Sequence, residues 1–122
     1  MEEEKERVLI VDDSKFARRK TKELLEELGH EVIGEAVDGL DGIEKCKELT
    51  PSLILSDIEM PNLDGISMIK EIRSYNNEIK IIVASSVVNA QIIQSVVRVK
   101  ATALKKPIKP QALINAIKLL SR

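Results

Sequence analysis

The sequence predicts an α/β fold in which a five-stranded parallel sheet carries helices on both faces, a doubly wound (βα)5 arrangement. Its 122 residues suit one domain. Short apolar runs alternate five times with longer segments of helical period, and no linker or low-complexity tract interrupts them. We therefore expect one domain over residues 7–122, preceded by a frayed, solvated N-terminus over residues 1–6.

The first two β–α units show this alternation clearly. Residues 8–11 are wholly apolar, which is typical of a strand covered on both faces. Residues 14–28 place apolar side chains on one side of a helix and charges on the other, and Gly29 follows where a left-handed residue often ends a helix. A weaker strand is predicted over residues 31–36, and Asp38 can cap the helix that follows it.

The last three units repeat the pattern. We expect strands at residues 53–56, 79–84 and 101–105, and helices at residues 65–74, 89–98 and 110–120. Pro110 suits the first position of its helix, where the missing N–H leaves no hydrogen bond unmade. Because ligands bind beyond the carboxyl ends of parallel strands, we expect the functional residues directly after each apolar run.

Composition narrows the function classes. The net charge is −1 and aromatic residues make up 2% of the chain, which argues against direct nucleic-acid binding. No apolar run approaches the roughly 18 residues that a membrane span needs. The single cysteine, Cys46, suits a reducing compartment, so we expect a cytoplasmic protein that contacts no membrane. We interpret Cys46 as a small core residue and His30, the sole histidine, as a solvated turn residue.

Charged and hydroxyl side chains follow four of the predicted strands. Asp12 and Asp13 follow the first strand, Asp57 the third, Ser85 the fourth and Lys106 the fifth. Crowded carboxylates repel one another unless a cation joins them, and Mg²⁺ binds carboxylate and phosphate oxygens. A carboxylate can accept a phosphoryl group, while a hydroxyl donates to it and an ammonium neutralises it. The set is chemically complete for forming an aspartyl phosphate, although Asp13 alone could be a helix cap and Lys106 alone a surface lysine.

Four segments of the chain resemble the signatures of two-component response-regulator receiver domains. They are Val-Leu-Ile-Val-Asp-Asp-Ser at residues 8–14, Asp-Ile-Glu-Met-Pro-Asn-Leu-Asp-Gly at residues 57–65, Ser85, and the pair Lys106-Pro107. The resemblance extends over residues 7–120 and implies the flavodoxin-like receiver fold with Mg²⁺ as cofactor. It also implies a cis peptide bond at Lys106-Pro107.

The resemblance assigns a role to each matching residue. Asp57 corresponds to the phosphoacceptor, and Ser85 and Lys106 correspond to the residues that hold the phosphoryl group. The implied metal ligands are the side chains of Asp12, Asp13 and Asp57 and the backbone carbonyl of Glu59.

The implied function is phosphorelay signal transduction. A sensor histidine kinase or phosphotransfer protein would phosphorylate the chain, whose own catalysis would be limited to weak autophosphorylation and autodephosphorylation. Phosphorylation would then switch a surface that binds a downstream target protein or a second copy of the chain. The sequence suits either a stand-alone chemotaxis-type regulator or the receiver of a longer one, and the stretch Ser85-Ser86 also resembles the methylesterase branch of chemotaxis regulators.

The segment after Ser85 is the expected switch surface. Its apolar residues reach around much of a helix, so they cannot all face the sheet: Val87, Val88, Ile92, Ile93, Val96 and Val97. Ala103 stands where family members often carry an aromatic residue, three positions before the lysine. We therefore expect a loosely held helix with an exposed apolar face, with plain core packing as the alternative.

Two other functions remain open at this stage. A small Mg²⁺-dependent aspartyl-phosphate phosphatase would use an acid or base two residues after its nucleophile, where Glu59 follows Asp57. The chain is short for the cap domain that such enzymes add. A pseudo-receiver that takes no phosphate and acts only as an interaction module is the other alternative.

Overall fold

The computed structural model describes residues 5–122, and this part of the chain forms five strands and five helices in strict alternation. The strands are β1 (Arg7–Val11), β2 (Glu31–Ala36), β3 (Leu53–Asp57), β4 (Lys80–Ser85) and β5 (Thr102–Lys105). The helices are α1 (Lys15–Glu27), α2 (Gly39–Leu49), α3 (Gly65–Arg73), α4 (Ala90–Arg98) and α5 (Pro110–Leu120). The predicted alternation is confirmed. None of the helices in the described residues is long and apolar enough to cross a membrane.

All neighbouring strands pair in parallel, in the order β2-β1-β3-β4-β5. β2 therefore lies on one side of β1, and β3, β4 and β5 follow one another on its other side. This reversal leaves a crevice beyond the carboxyl ends of β1 and β3, where doubly wound folds bind their ligands. The predicted doubly wound α/β class is confirmed.

The sheet separates two apolar cores, and strand alternation decides which side chains enter each. Leu53 and Leu55 belong to the core under α1 and α5, whereas Ile54 belongs to the core under α2, α3 and α4. Because successive side chains point to opposite faces, Asp57 continues the side of Leu55. The polar side chains that follow the strands are in this way sorted between the two faces.

Polar caps begin four of the five helices. The side chains of Ser14, Asp38, Asp64 and Asn89 each accept a hydrogen bond from the backbone N–H three residues later, which satisfies a donor that the helix leaves free. Pro110 begins α5 without such a cap, as its position predicts.

The amino-terminal edge of the sheet differs from expectation. Residues 1–4 lie outside the described part, but Glu6 is only 2% exposed. Its carboxylate lies 2.9 Å from Lys80 Nζ and accepts a hydrogen bond from Ser52 Oγ at 2.8 Å. The N–H of Glu6 donates to His30 Nδ1 at 3.0 Å. The prediction that His30 is a solvated turn residue is therefore wrong, because its side chain is buried. Glu6 is likewise not part of a frayed segment, since it is buried and contacts His30, Ser52 and Lys80.

Substituting Glu6 with alanine tests this buried pair. Glu6→Ala leaves the Lys80 ammonium without its partner in a mostly buried position, so we expect a loss of about 3 kcal/mol in the free energy of unfolding. Urea denaturation followed by circular dichroism measures it. The control is Glu23→Ala on the exposed side of α1, for which we expect a change within about 0.5 kcal/mol. Equal losses in the two variants would contradict the structural role of Glu6.

Candidate functional site

Four charged side chains converge at the carboxyl edge of the sheet. Lys106 Nζ lies 3.1 Å from Asp57 Oδ2 and 3.4 Å from Asp12 Oδ2. The nearest ligand oxygens of Asp12, Asp13 and Asp57 all lie within 4.8 Å of one another. The structure thus brings the predicted acid cluster and its lysine together. The peptide bond Lys106-Pro107 is cis, as predicted.

Local hydrogen bonds fix the loop that carries the acid pair. Asp12 Oδ1 accepts a hydrogen bond from the N–H of Ser14 at 2.9 Å. The backbone carbonyl of Asp12 accepts one from Arg18 Nη1 at 2.7 Å, and Arg18 Nε contacts Glu35 at 3.1 Å. Arg18 thereby ties α1 and β2 to the first residue of the site. Sequence reasoning missed this role, although a cation one helical turn beyond an acid pair was a signal for it.

Hydrogen bonds within the loop after β3 fix the position of Asp57. Asp57 Oδ1 accepts a hydrogen bond from the N–H of Ile58 at 2.8 Å, and the N–H of Gly65 donates to the carbonyl of Ile58 at 2.7 Å. A Cβ atom at position 65 would lie 2.3 Å from the carbonyl oxygen of Asp57. Only glycine fits so close to the backbone, which explains the glycine eight residues after Asp57.

The electrostatics of the site are set by burial and by Lys106. Burial raises the pKa of the Asp57 carboxyl, and the nearby Asp12 charge raises it further, against the opposing effect of Lys106. Burial disfavours the charged form of Lys106 as well, but the Asp57 and Asp12 carboxylates outweigh it and raise the pKa of Lys106. The lysine therefore stays protonated, while ionised Asp57 carries a free-energy cost in the folded state.

The donor set fits a hard divalent cation. Three carboxylates from two neighbouring loops can reach one ion, and Mg²⁺ takes oxygen ligands while keeping sites for water and phosphate. Asp12 is buried, whereas Asp13 is exposed and leaves one side open to solvent. The Glu59 side chain is exposed in the loop after β3, and the ligand role of its backbone carbonyl stays a prediction.

Ser85 makes its hydrogen bonds away from the acid cluster. Its Oγ accepts a hydrogen bond from the N–H of Val87 at 3.2 Å. In the pairing of β3 with β4, the residue opposite Asp57 is Ala84, so Ser85 points to the other face of the sheet. The carbonyl of Ser85 accepts a hydrogen bond from the N–H of Lys106 at 2.8 Å. The backbone thus links Ser85 to the site, while its hydroxyl is turned toward Val87.

The apolar segment after Ser85 divides into two sides. Val87, Ile93 and Val97 are 56%, 47% and 63% exposed. Val88, Ile92 and Ala103 are half-buried, and the last two pack against the core under α4. Val96 is 1% exposed, so its predicted place in the surface is wrong. With apolar residues on both sides of α4, only packing decides which side faces the sheet.

Known proteins resemble this chain over most of its length. Residues 8–118 match the family model described as "Response regulator receiver domain". A chemotaxis protein CheY of Thermotoga maritima is 38% identical over 117 residues, which cover 95% of this chain and 98% of that protein. The CheX-CheY-BeF3-Mg²⁺ complex from Borrelia burgdorferi superposes with a TM-score of 0.90 at 25% identity, covering 95% of this chain and 89% of that one.

A second group of relatives matches a shorter stretch. A protein-glutamate methylesterase/protein-glutamine glutaminase of Pseudoalteromonas translucida is 54% identical over 71 residues. The match covers 57% of this chain but only 18% of that protein. The likeness is thus confined to a small part of the methylesterase.

Neutralising Asp57 should stabilise the metal-free protein. A raised pKa means that protonation of Asp57 contributes stability below about pH 4, which is lost as pH rises through the folded-state pKa. At neutral pH the ionised carboxylate is destabilising, so Asp57→Asn should raise the melting temperature by roughly 3 °C in the presence of a chelator. The difference should shrink near pH 3. Scanning calorimetry measures the melting temperature at both pH values, with Glu23→Gln, exposed on α1, as control. A melting temperature of Asp57→Asn below that of the wild type at pH 7.5 would contradict the cost of the ionised carboxylate.

Proposed function

The chain belongs to the response regulator receiver domain family, and we propose that it acts in phosphorelay signalling by Mg²⁺-dependent phosphorylation of Asp57. The proposed donor is a sensor histidine kinase or a phosphotransfer protein. The observation that carries this proposal is the 3.1 Å contact of Asp57 with Lys106 inside a cluster of three carboxylates. An acceptor, a neutralising cation and a set of metal ligands are thereby within reach of one phosphoryl group.

The relatives support a signalling role. Domains of this family are signalling modules rather than enzymes, and several relatives are chemotaxis proteins. The Borrelia burgdorferi complex holds BeF3 and Mg²⁺ together with CheY, which supports the proposed ligands of this chain. We propose a cytoplasmic, chemotaxis-type regulator, either alone or as the receiver of a longer protein.

The proposed reaction uses few groups of the chain. One oxygen of Asp57 forms a bond to phosphorus while the P–N bond of a phosphohistidine breaks, and the electron pair stays on the imidazole. The Lys106 ammonium exchanges the Asp57 carboxylate for a phosphoryl oxygen, since the phosphoryl group is attached to Asp57 and its oxygens are also anionic hydrogen-bond acceptors. When bound, Mg²⁺ supplies charge neutralisation for the phosphoryl oxygens. Its proposed ligands are Asp12, Asp13, Asp57 and the carbonyl of Glu59.

Phosphorylation of Asp57 is directly testable. Incubation with phosphoramidate and Mg²⁺ should add one phosphoryl group, detected by intact-mass spectrometry. Asp57→Asn should abolish the addition, and Asp13→Asn should raise the Mg²⁺ concentration that labelling requires. The control Glu23→Gln, exposed on α1, should label like the wild type. Stoichiometric labelling of Asp57→Asn would contradict the assignment. An unlabelled wild type would favour the pseudo-receiver, and continuous hydrolysis of phosphomonoesters would favour the phosphatase.

The proposed output follows from the position of Ser85. To donate to a phosphoryl group on Asp57, the Ser85 hydroxyl has to leave the N–H of Val87, which then loses its acceptor. Val87 is largely exposed, so water can accept from this N–H instead, and the turn that the Ser85 hydroxyl holds closed is then free to change its conformation. We propose that this change reshapes the exposed residues Val87, Ile93 and Val97, the output surface, for a downstream target protein or a second copy of the chain.

Hydrogen exchange measures this coupling. Beryllofluoride with Mg²⁺, a phosphoryl mimic, should change amide exchange in residues 87–99 several-fold, because the hydrogen bond that holds Val87 is redirected. The same addition to Asp57→Asn should change nothing in this segment. Changes in amide exchange that are confined to residues 57–65 would show that the output surface lies elsewhere.

A further inference from the structure

The guanidinium group of Arg73 links the end of α3 to the end of α4. Arg73 Nε donates a hydrogen bond to the carbonyl of Val99 at 3.0 Å, and Nη2 donates one to the carbonyl of Lys100 at 2.9 Å. Nη1 donates to the carbonyl of Asn76, shortly after α3, at 3.3 Å. Arg73 is the last residue of α3 and is half-buried. One planar cation therefore binds two consecutive carbonyls just beyond α4.

A tight backbone turn ends α4 and directs these carbonyls to Arg73. Lys100 has a φ of +58°, the left-handed conformation that often ends a helix. The N–H of Lys100 donates to the carbonyl of Val97, and the N–H of Ala101 donates to the carbonyl of Val96, both at 3.0 Å. These two bonds satisfy carbonyls of the last helical turn. The positive charge of Arg73 also complements the negative end of the helix dipole.

The two ends of α4 are held to different degrees. At the carboxyl end, Val96 is 1% exposed and Val99 is 6% exposed. Burial also lowers the pKa of Arg73, and a cation in such a position is stable because carbonyl oxygens bind it. At the amino end, residues 89–91 are exposed. The better-held end of α4 is therefore the one farther along the chain from Ser85.

α3 is a rigid support for the arginine. At its beginning, the N–H of Gly65 donates to the carbonyl of Ile58 at 2.7 Å. Its inward side chains are fully buried in the core that α3 shares with α4: Met68, Ile69 and Ile72. A displacement of the exposed amino end of α4 can therefore leave α3 and Arg73 in place.

We propose that Arg73 is a positioning residue that makes the carboxyl end of α4 a fixed pivot, so that phosphorylation of Asp57 moves only the amino-terminal part of this helix. The inference rests on the proposed output through residues 87–99. Along the helix axis, Ile93 lies about 9 Å and Val97 about 3 Å from Val99. A given tilt therefore displaces Ile93 roughly three times as far as Val97. The output surface changes shape because its members move by different amounts.

Amide hydrogen exchange at the two ends of α4, resolved by NMR, tests the pivot. The amides of Ile92 and Ile93 report on the first turn, and those of Lys100 and Ala101 report on the carboxyl end. In the wild type, beryllofluoride with Mg²⁺ should change exchange of the first pair several-fold and that of the second pair by less than about twofold. In Arg73→Ala, the same addition should change exchange of the second pair about fivefold, because the whole helix then moves.

Two further variants separate this role from simple stabilisation. Arg98→Ala removes an exposed arginine from the last turn of α4 and should respond like the wild type. Arg73→Lys keeps the charge but loses the planar fork, so its response should lie between those of the wild type and Arg73→Ala. A purely structural arginine would raise exchange of Lys100 and Ala101 by the same factor with and without beryllofluoride. That result would overturn the inference.

The remaining outcomes distinguish the pivot from the proposed function. Labelling of Asp57 by phosphoramidate should be as fast in Arg73→Ala as in the wild type, because Arg73 is at the end of α3 that is far from the Asp57 loop. Slower labelling would overturn the inference. A wild-type response at both ends of α4 would also overturn the pivot while leaving the proposed output intact. If residues 87–99 of the wild type do not respond, both proposals fall.

Discussion

The ammonium group of Lys106 lies between two carboxylates, and the geometry of the site depends on this ion pair. β1 and β3 are adjacent parallel strands, so the acids at their ends are held about one strand spacing apart. Lys106 follows β5, beyond the intervening strand β4. The residue of β4 that pairs with Asp57 is Ala84, whose small side chain leaves room for the lysine to reach both Asp57 and Asp12. A larger side chain at position 84 would stand in that path.

The proposed acceptor chemistry and the proposed output surface belong to different faces of the sheet. Strand alternation directs Asp57 and Lys106 toward the face that carries α1 and α5, whereas the Ser85 hydroxyl points toward the side of α4. The acceptor chemistry and the output surface are therefore on opposite sides of β4. The hydrogen bond from the N–H of Lys106 to the carbonyl of Ser85 joins them through the backbone. A donor molecule can thus approach from one side without covering the surface on the other.

The fold and the acid cluster could be predicted because their signals are local. An apolar run and the polar residue directly after it, such as Asp57 after residues 53–56, specify both a strand and its functional end. The wrong predictions concern residues whose burial depends on contacts that sequence spacing does not reveal. Glu6 pairs with Lys80, which is 74 positions away, and its N–H reaches His30, so their burial follows from the assembled sheet. Val96 was misplaced because both sides of α4 are apolar, and packing alone chose between them.

The small side chain of Ala103 constrains how a signal could reach α4. Ala103 is half-buried in the core under that helix, and it offers no ring that could swing between a buried and an exposed position. A change at Ser85 then has to pass along the chain through residues 86–89. Asn89 begins α4 by accepting a hydrogen bond from the N–H of Ile92 at 2.9 Å, so a displaced Val87 moves the first turn of the helix. Val96, near the other end, is held in the core. On the proposed mechanism, α4 therefore tilts about its buried carboxyl end.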